Sequence, residues 1–392
     1  MRPLTSERAY FDWNATAPLQ PAARAAMLAA LDAVGNASSV HGEGRAARGR
    51  LEAARRQVAA LVGAQPAEVV FVSGATEANA LALQADITVD GTKVPRGRLF
   101  MSAVEHPSVL AGGRFAAGQS ELLPVDDNGL VDVAALATAL AEAQRPLVSV
   151  MLANNETGVI QPIAEIAAIV HAVGGLLHVD AVQAAGRIPI DMRALGADLM
   201  SLSSHKLGGP QGAGALIVRA GLNVTPVIRG GGQERGVRPG TENVAAIAGF
   251  GAAAEAVRGN LSANAARMSA LRERIEAAIT AATPDAVVFG VSAPRLPNTT
   301  LVAVPGIKAE TALIAFDLNG IAVSSGSACS SGKVAASHVL AAMGVEPVLA
   351  RGALRISLGP ETSENEVESL LVAWKRVVPS LLKNQPNQGL AA

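Results

Sequence analysis

One cysteine, one tyrosine and two tryptophans are all that this 392-residue sequence holds of those types. A single cysteine cannot close an intramolecular disulfide, so the chain suits a reducing compartment and is expected to be cytoplasmic. Aromatic residues make up 3%, too few for a base-stacking surface. The formal charge of −1 comes without a basic stripe, so no nucleic-acid partner is expected. No apolar run approaches the roughly eighteen residues of a membrane span, and no membrane partner is expected. The opening stretch MRPLTSERAYFDWNATAP carries acidic residues and no apolar core of signal-peptide length. No metal site is expected.

What is present is ample material for burial: half the residues are apolar. The length exceeds what one core usually supports, which favours two domains. Between residues 69 and 218, short β-rich runs (69-VVFV, 98-RLFMS, 147-LVSVML, 176-LLHVD, 198-DLMSL, 213-AGALIV) alternate with helical stretches at 77–86, 107–114, 131–143 and 163–173. Such alternation predicts an α/β fold with a large, mostly parallel, covered sheet. A Gly/Arg-rich segment at 229–242 and an Ala-rich stretch at 243–282 then lead out. A smaller α/β set follows: strands at 299–305, 321–323 and 353–358, helices near 308–317 and 334–343, and a closing helix from 364. The division is a large domain over 15–255 and a smaller one from 1–14 and 256–392.

Three motifs carry chemistry. In 73-SGATEAN a turn follows a strand and opens a helix. Gly74 permits the turn, and the amides of Ala75 and Thr76 with the Thr76 hydroxyl can face a phosphate; an ordinary helix cap would read the same locally. In 178-HVDAVQAAG, Asp180 ends an apolar strand, where open α/β sheets place ligand groups. It can pair with a protonated ring nitrogen, and Gln183 can donate to a ring oxygen; a capping Asp is the alternative. In 198-DLMSLSSHKLGGPQG a strand runs into Lys206, one of six lysines beside 26 arginines. A primary amine forms a Schiff base and a guanidinium does not. Ser203 and His205 flank it and can donate to phosphate. Phosphate cradle, carboxylate and amine together point to pyridoxal 5′-phosphate.

Other residues join this reading. His106, before Pro107 at another strand-to-helix transition, can stack on a pyridine face and move protons, though an isolated His-Pro is more often a helix cap. Asn155, just past a strand, can bond the cofactor hydroxyl, though turn-making is equally available to it. Cys329 lies amid 324-SSGSACSSGK, a setting that exposes a nucleophile instead of burying it. Arg355, in 353-ALRISLG, can clamp a carboxylate bidentately, and an internal ion pair is its alternative.

In order along the chain, 12-DWNATAP, 36-NASSVH, 73-SGATEAN, 105-EHPSV, 154-NNETG, 178-HVDAVQ, 203-SSHKLGGPQG, 230-GGGQERGVRPGT, 324-SSGSACSSG and 355-RISLG resemble the cysteine desulfurases, fold-type-I pyridoxal-phosphate enzymes of the class V aminotransferase group. The resemblance implies that Lys206 carries the cofactor, His106 stacks and shuttles protons, and Asp180 pairs with the ring nitrogen. It implies that Thr76, Ser203 and His205 hold the phosphate, with Asn155 and Gln183 adjusting substrate and ring oxygen. Arg355 and Asn155 would hold the carboxylate of L-cysteine, and Cys329 would take its sulfur as a persulfide. Thr241 would reach the phosphate of a neighbouring subunit, implying a homodimer with shared active sites.

The serine-rich loop 324–333 resembles the longer, mobile form that delivers sulfur over a distance. The acceptor implied is a sulfur carrier or iron–sulfur scaffold protein. The C-terminal stretch 380-SLLKNQPNQGLAA departs from the acidic-aromatic tail of many members, which leaves the acceptor open. Selenocysteine lyase or another β-lyase, an aminotransferase and a non-catalytic sulfur-relay scaffold are the alternatives to the desulfurase reading.

Overall fold

The computed structural model describes residues 8–326 and 337–383. Seven strands build the main sheet in the spatial order Val69–Val72, Gly214–Val218, Leu199–Ser203, Leu176–Asp180, Leu147–Met151, Leu99–Ser102 and Ser120–Leu123. All run the same way except Gly214–Val218, which is antiparallel to both its neighbours. The central strands are buried along their whole length, as a sheet covered on both faces requires.

The period-2 pleat sorts their side chains into two cores. Phe71, Phe100, Val148, Leu177, Met200 and Ala215 face one side, where the helices Pro21–Leu31, Gly42–Leu61 and Val244–Gly259 pack. Val70, Leu99, Leu147, Leu176, Leu199 and Leu216 face the other, beneath the helix Ala75–Ala82.

A second, antiparallel sheet runs Val287–Val288, Thr299–Ala303, Leu354–Ser357, Ser324–Ser325. The long helices Leu261–Ala282 and Glu364–Lys383 contribute to its core, which centres on Phe11, Phe316 and Trp374. The N-terminal strand Ala9–Tyr10 pairs in parallel with Ile321–Ala322, and Asp12 bridges to Ser357. Among the described residues no helix is long and apolar enough to cross a membrane.

Several boundaries differ from expectation for local reasons. The helix expected over 107–114 stops at Leu110, because Gly112 and Gly113 turn the chain with positive φ. The Ala-rich stretch 243–282 does span helices, two of them meeting at Asn260, as its composition suggests. Residues 15–68, for which sequence suggested no elements, form two helices and a 3-10 turn. A small sheet of Leu222–Val224, Asp86–Val89 and Thr92–Pro95 was also not anticipated. Of the helix expected near 334–343, the described part is His338–Ala342.

Candidate active site

The parallel strands end on one edge of the main sheet, and the motifs sit in the loops beyond those ends. A cavity of about 530 Å³ opens there. One wall carries Gly74, Ala75 and Thr76, and another carries Ser203, His205 and Lys206. Asp180, Gln183, His106, Asn155 and Arg355 also line it. Gly214 allows the first two walls to meet, since a Cβ there would stand 2.7 Å from the Gly74 Cα. Thr241 is exposed and outside this lining. Cys329 and most of the loop 324–333 lie outside the described residues, as do residues 384–392 of the C-terminal stretch.

Lys206 closes a 3-10 turn, Ser204–Lys206, directly after its strand. Its Nζ donates to the carbonyl oxygens of Asn14 and Ala15, both at 2.7 Å. Asp180 is 5% exposed. Its carboxylate accepts from the Val182 amide at 3.0 Å and from Asn79 Nδ2 at 3.1 Å. Behind it, fully buried His178 bridges the Ser149 and Ser201 hydroxyls at 2.8 and 2.9 Å. Burial lowers its pKa to about 4, keeping the ring neutral. Burial and the Lys206 charge likewise lower His205 to about 4, and its Nδ1 lies 3.1 Å from Thr16 Oγ1.

Two buried carboxyls move the other way. Burial, helped by the negative charge of Asp180, pushes Glu105 up to about 8. Its Oε1 accepts from Ser102 Oγ at 2.7 Å and the Met151 amide at 2.6 Å, while Oε2 is buried without a partner. Burial raises Glu156 to about 7, where it accepts from Ser337 Oγ at 2.6 Å.

Arg355, 2% exposed, already donates at two points: Nη2 to Asp12 Oδ1 at 2.8 Å, Nη1 to the Asn155 carbonyl at 3.0 Å. The internal ion pair is thus formed within the cavity lining, and Nε is buried with no partner. Gln183 is equally engaged. Its Nε2 donates to Asn14 O at 3.1 Å and its Oε1 accepts from buried Arg187 at 2.7 Å.

Asp12, Asn14, Asn79, Glu105 and Glu156 all fall inside the quoted motifs, yet sequence gave them no role. The available signal was a polar residue amid apolar ones, as with Asn79 in ANALAL.

The donor set suits a phosphorylated pyridine aldehyde. The helix Ala75–Ala82 has no side-chain cap at Gly74, leaving first-turn amides for an anion. A buried carboxylate lies elsewhere in the lining for a ring nitrogen, and a primary amine for the carbonyl carbon. The class-V aminotransferase family matches residues 9–370. The chain is 43% identical to a cysteine desulfurase of Cereibacter sphaeroides, over 97% of this chain and 98% of that one. It is 42% identical to a cysteine desulfurase of Gluconacetobacter diazotrophicus, over 96% and 95% of the two chains. Among solved structures, a NifS-like protein from Rickettsia africae superposes with a TM-score of 0.86 at 37% identity, covering 95% of this chain and 99% of the other. With a family match over residues 9–370 and relatives above 40% identical along nearly the whole length, the chain belongs to the cysteine desulfurase family of class-V aminotransferases.

Proposed function

We propose that this chain converts L-cysteine to L-alanine with pyridoxal 5′-phosphate and passes the sulfur, through a persulfide on Cys329, to an acceptor protein. The observation that carries the reading is convergence. Lys206, Asp180, His106 and Arg355 come from four separate strand regions, spread over 250 residues of chain, and line one cavity.

Pyridoxal phosphate supplies, when bound, a carbonyl carbon that condenses with amines and a ring that withdraws charge from the adjoining carbon. The chain's residues do the rest. Lys206 Nζ would anchor the cofactor and would serve as the base for the substrate's α-proton. Asp180 holds a proton on the ring nitrogen. The first-turn amides at residues 75 and 76, with Thr76, Ser203 and neutral His205, bind the phosphate. Asn155 and Gln183 would orient substrate and ring oxygen, and His106 would lie against the ring face. Arg355, held by Asp12, orients the substrate carboxylate.

Sulfur leaves by attack of the Cys329 thiolate on the substrate sulfur. The carbon–sulfur bond breaks, a sulfur–sulfur bond forms, and the carbon takes a proton, so no outside oxidant or reductant is needed.

A homodimer supports the role of Thr241, whose exposed hydroxyl would reach the partner's phosphate. The segment that presents it is held by Glu234, which pairs with Arg55 Nη2 at 2.7 Å and accepts from the Phe71 amide at 2.8 Å. A reducing cytoplasm suits the free thiol, and the acceptor is an iron–sulfur scaffold or sulfur carrier.

The test is to incubate purified holoenzyme with L-cysteine and measure alanine, sulfide and protein-bound persulfide together. Alanine matching total sulfur released, with the persulfide mapped to Cys329, supports the reading. Pyruvate and ammonia in place of alanine would overturn it.

A further inference from the structure

A partly buried hydrogen-bond path joins Asp180 to His106 through two side chains that the mechanism above leaves unused. Asn79 projects from the helix Ala75–Ala82 and is fully buried. Its Nδ2 donates to Asp180 Oδ2 at 3.1 Å and to Ser108 Oγ at 2.9 Å. A carboxylate only accepts, so the amide nitrogen must face it, and both amide hydrogens are committed. Ser108 Oγ in turn lies 2.8 Å from His106 Nδ1. The Ser108 backbone N–H donates to the same nitrogen at 3.1 Å. A backbone N–H cannot accept, so Nδ1 carries a lone pair. The proton of the neutral ring then sits on Nε2.

We infer that Asn79 and Ser108 are positioning residues that lock His106 as a neutral imidazole protonated at Nε2, so that in the resting site it presents Nε2–H as a hydrogen-bond donor. This rests on the desulfurase reading for its catalytic meaning, though the tautomer itself does not. Protonating Nδ1 would set two N–H groups head to head and cost the Ser108 amide its acceptor. The surroundings agree: burial, with Lys206 and His338 nearby, lowers the affinity of His106 for a second proton despite the carboxylate of Asp180. The relay also ties the two groups together. The amide that restrains the Asp180 carboxylate is the one that orients the hydroxyl on His106, so a disturbance at one reaches the other.

The experiment is ¹⁵N NMR of histidine-labelled holoenzyme without cysteine, followed by turnover. Six histidines give few signals, and His106 is assigned by its loss in His106→Gln. The native enzyme is expected to show Nδ1 unprotonated and Nε2 protonated throughout the neutral range. In Ser108→Ala and in Asn79→Ala, Nδ1 keeps the residue-108 backbone N–H but loses the held hydroxyl, so a minor Nδ1–H population should join the native tautomer and the His106 pKa should rise by about one unit. Ser108→Thr keeps the hydroxyl and should restore the native pattern. For Ser108→Ala, kcat for alanine should fall roughly tenfold with KM within about a factor of two.

An Nδ1–H tautomer or an imidazolium in the native holoenzyme near neutral pH would overturn the proposal, even if no variant folded. So would an unchanged ¹⁵N pattern in both alanine variants. The Nε2–H pattern in an enzyme that forms no alanine from cysteine would support the lock and count against the reaction instead.

Discussion

The carbonyl oxygen of Asn14 receives the ammonium of Lys206 at 2.7 Å and is shared with Gln183 Nε2 at 3.1 Å. A residue near the start of the chain thus fixes the amine on which the chemistry depends. Asn14 is itself held from several sides: Nδ2 donates to Thr299 Oγ1 and to the Asn155 carbonyl, and Oδ1 accepts from Asn298 Nδ2. Asn14→Ala strands these buried partners and is expected to cost about 2–4 kcal/mol, each unmet group contributing roughly 1–3 kcal/mol. Urea denaturation would measure it. Cofactor loss on dialysis should accelerate in parallel.

Lys206→Ala removes the only amine among the described residues of the cavity lining. Borohydride should no longer fix the cofactor to the chain, although phosphate contacts still retain some of it, and turnover should vanish. Peptide mapping after reduction, with native enzyme as the control, reads this directly.

Cys329→Ser keeps volume and polarity while removing the soft nucleophile. The variant should bind cofactor, and added cysteine should still change its absorbance. Alanine production and sulfur transfer should fall sharply, because the sequence holds no second cysteine. Near-native alanine formation would move the sulfur step elsewhere.

Stability should respond to pH through two buried groups of opposite sign. Glu105 is raised to about 8 from 4.5, so the folded state holds a proton that the unfolded state has released. Its contribution is therefore fully present below about pH 4.5 and is lost as pH rises towards 8. His178 is lowered to about 4 from 6.5, so the unfolded state binds the extra proton and stability climbs across that interval. Glu105→Gln mimics the protonated acid. The difference in urea midpoint between variant and native should widen in the variant's favour from pH 5 to 8.

Much of this was legible because apolar strands are locally encoded. Runs such as 147-LVSVM and 176-LLHVD are buried on both faces and need no partner to be recognised. The motif residues were readable because each strand end hands its loop to the same edge of the sheet. Harder were the helices Pro21–Leu31 and Gly42–Leu61, the first Ala-rich and the second interrupted by Gly44 and Gly49; they are held by packing on Val244–Gly259. The short strand Ser120–Leu123 is largely exposed at the sheet edge and carries little apolar pattern. Arg355 shows the limit at the site. Its motif fixed its place on the cavity, but its pairing with Asp12 joins residues 343 positions apart, which no local pattern records.

The strand Gly214–Val218 slots between Val69–Val72 and Leu199–Ser203. During synthesis on a ribosome, chain emerges from the N-terminus and folds as units complete. The loop at 73–76 therefore waits for more than a hundred later residues before the sheet can bring it beside Lys206. Asn14 waits longer still, since its amide and side chain are gripped by Ser357, Thr299 and Asn298. A prematurely terminated chain would carry every phosphate-binding motif yet lack the grip that sets the amine. The enzyme is thus assembled in an order that withholds a finished site from unfinished chains.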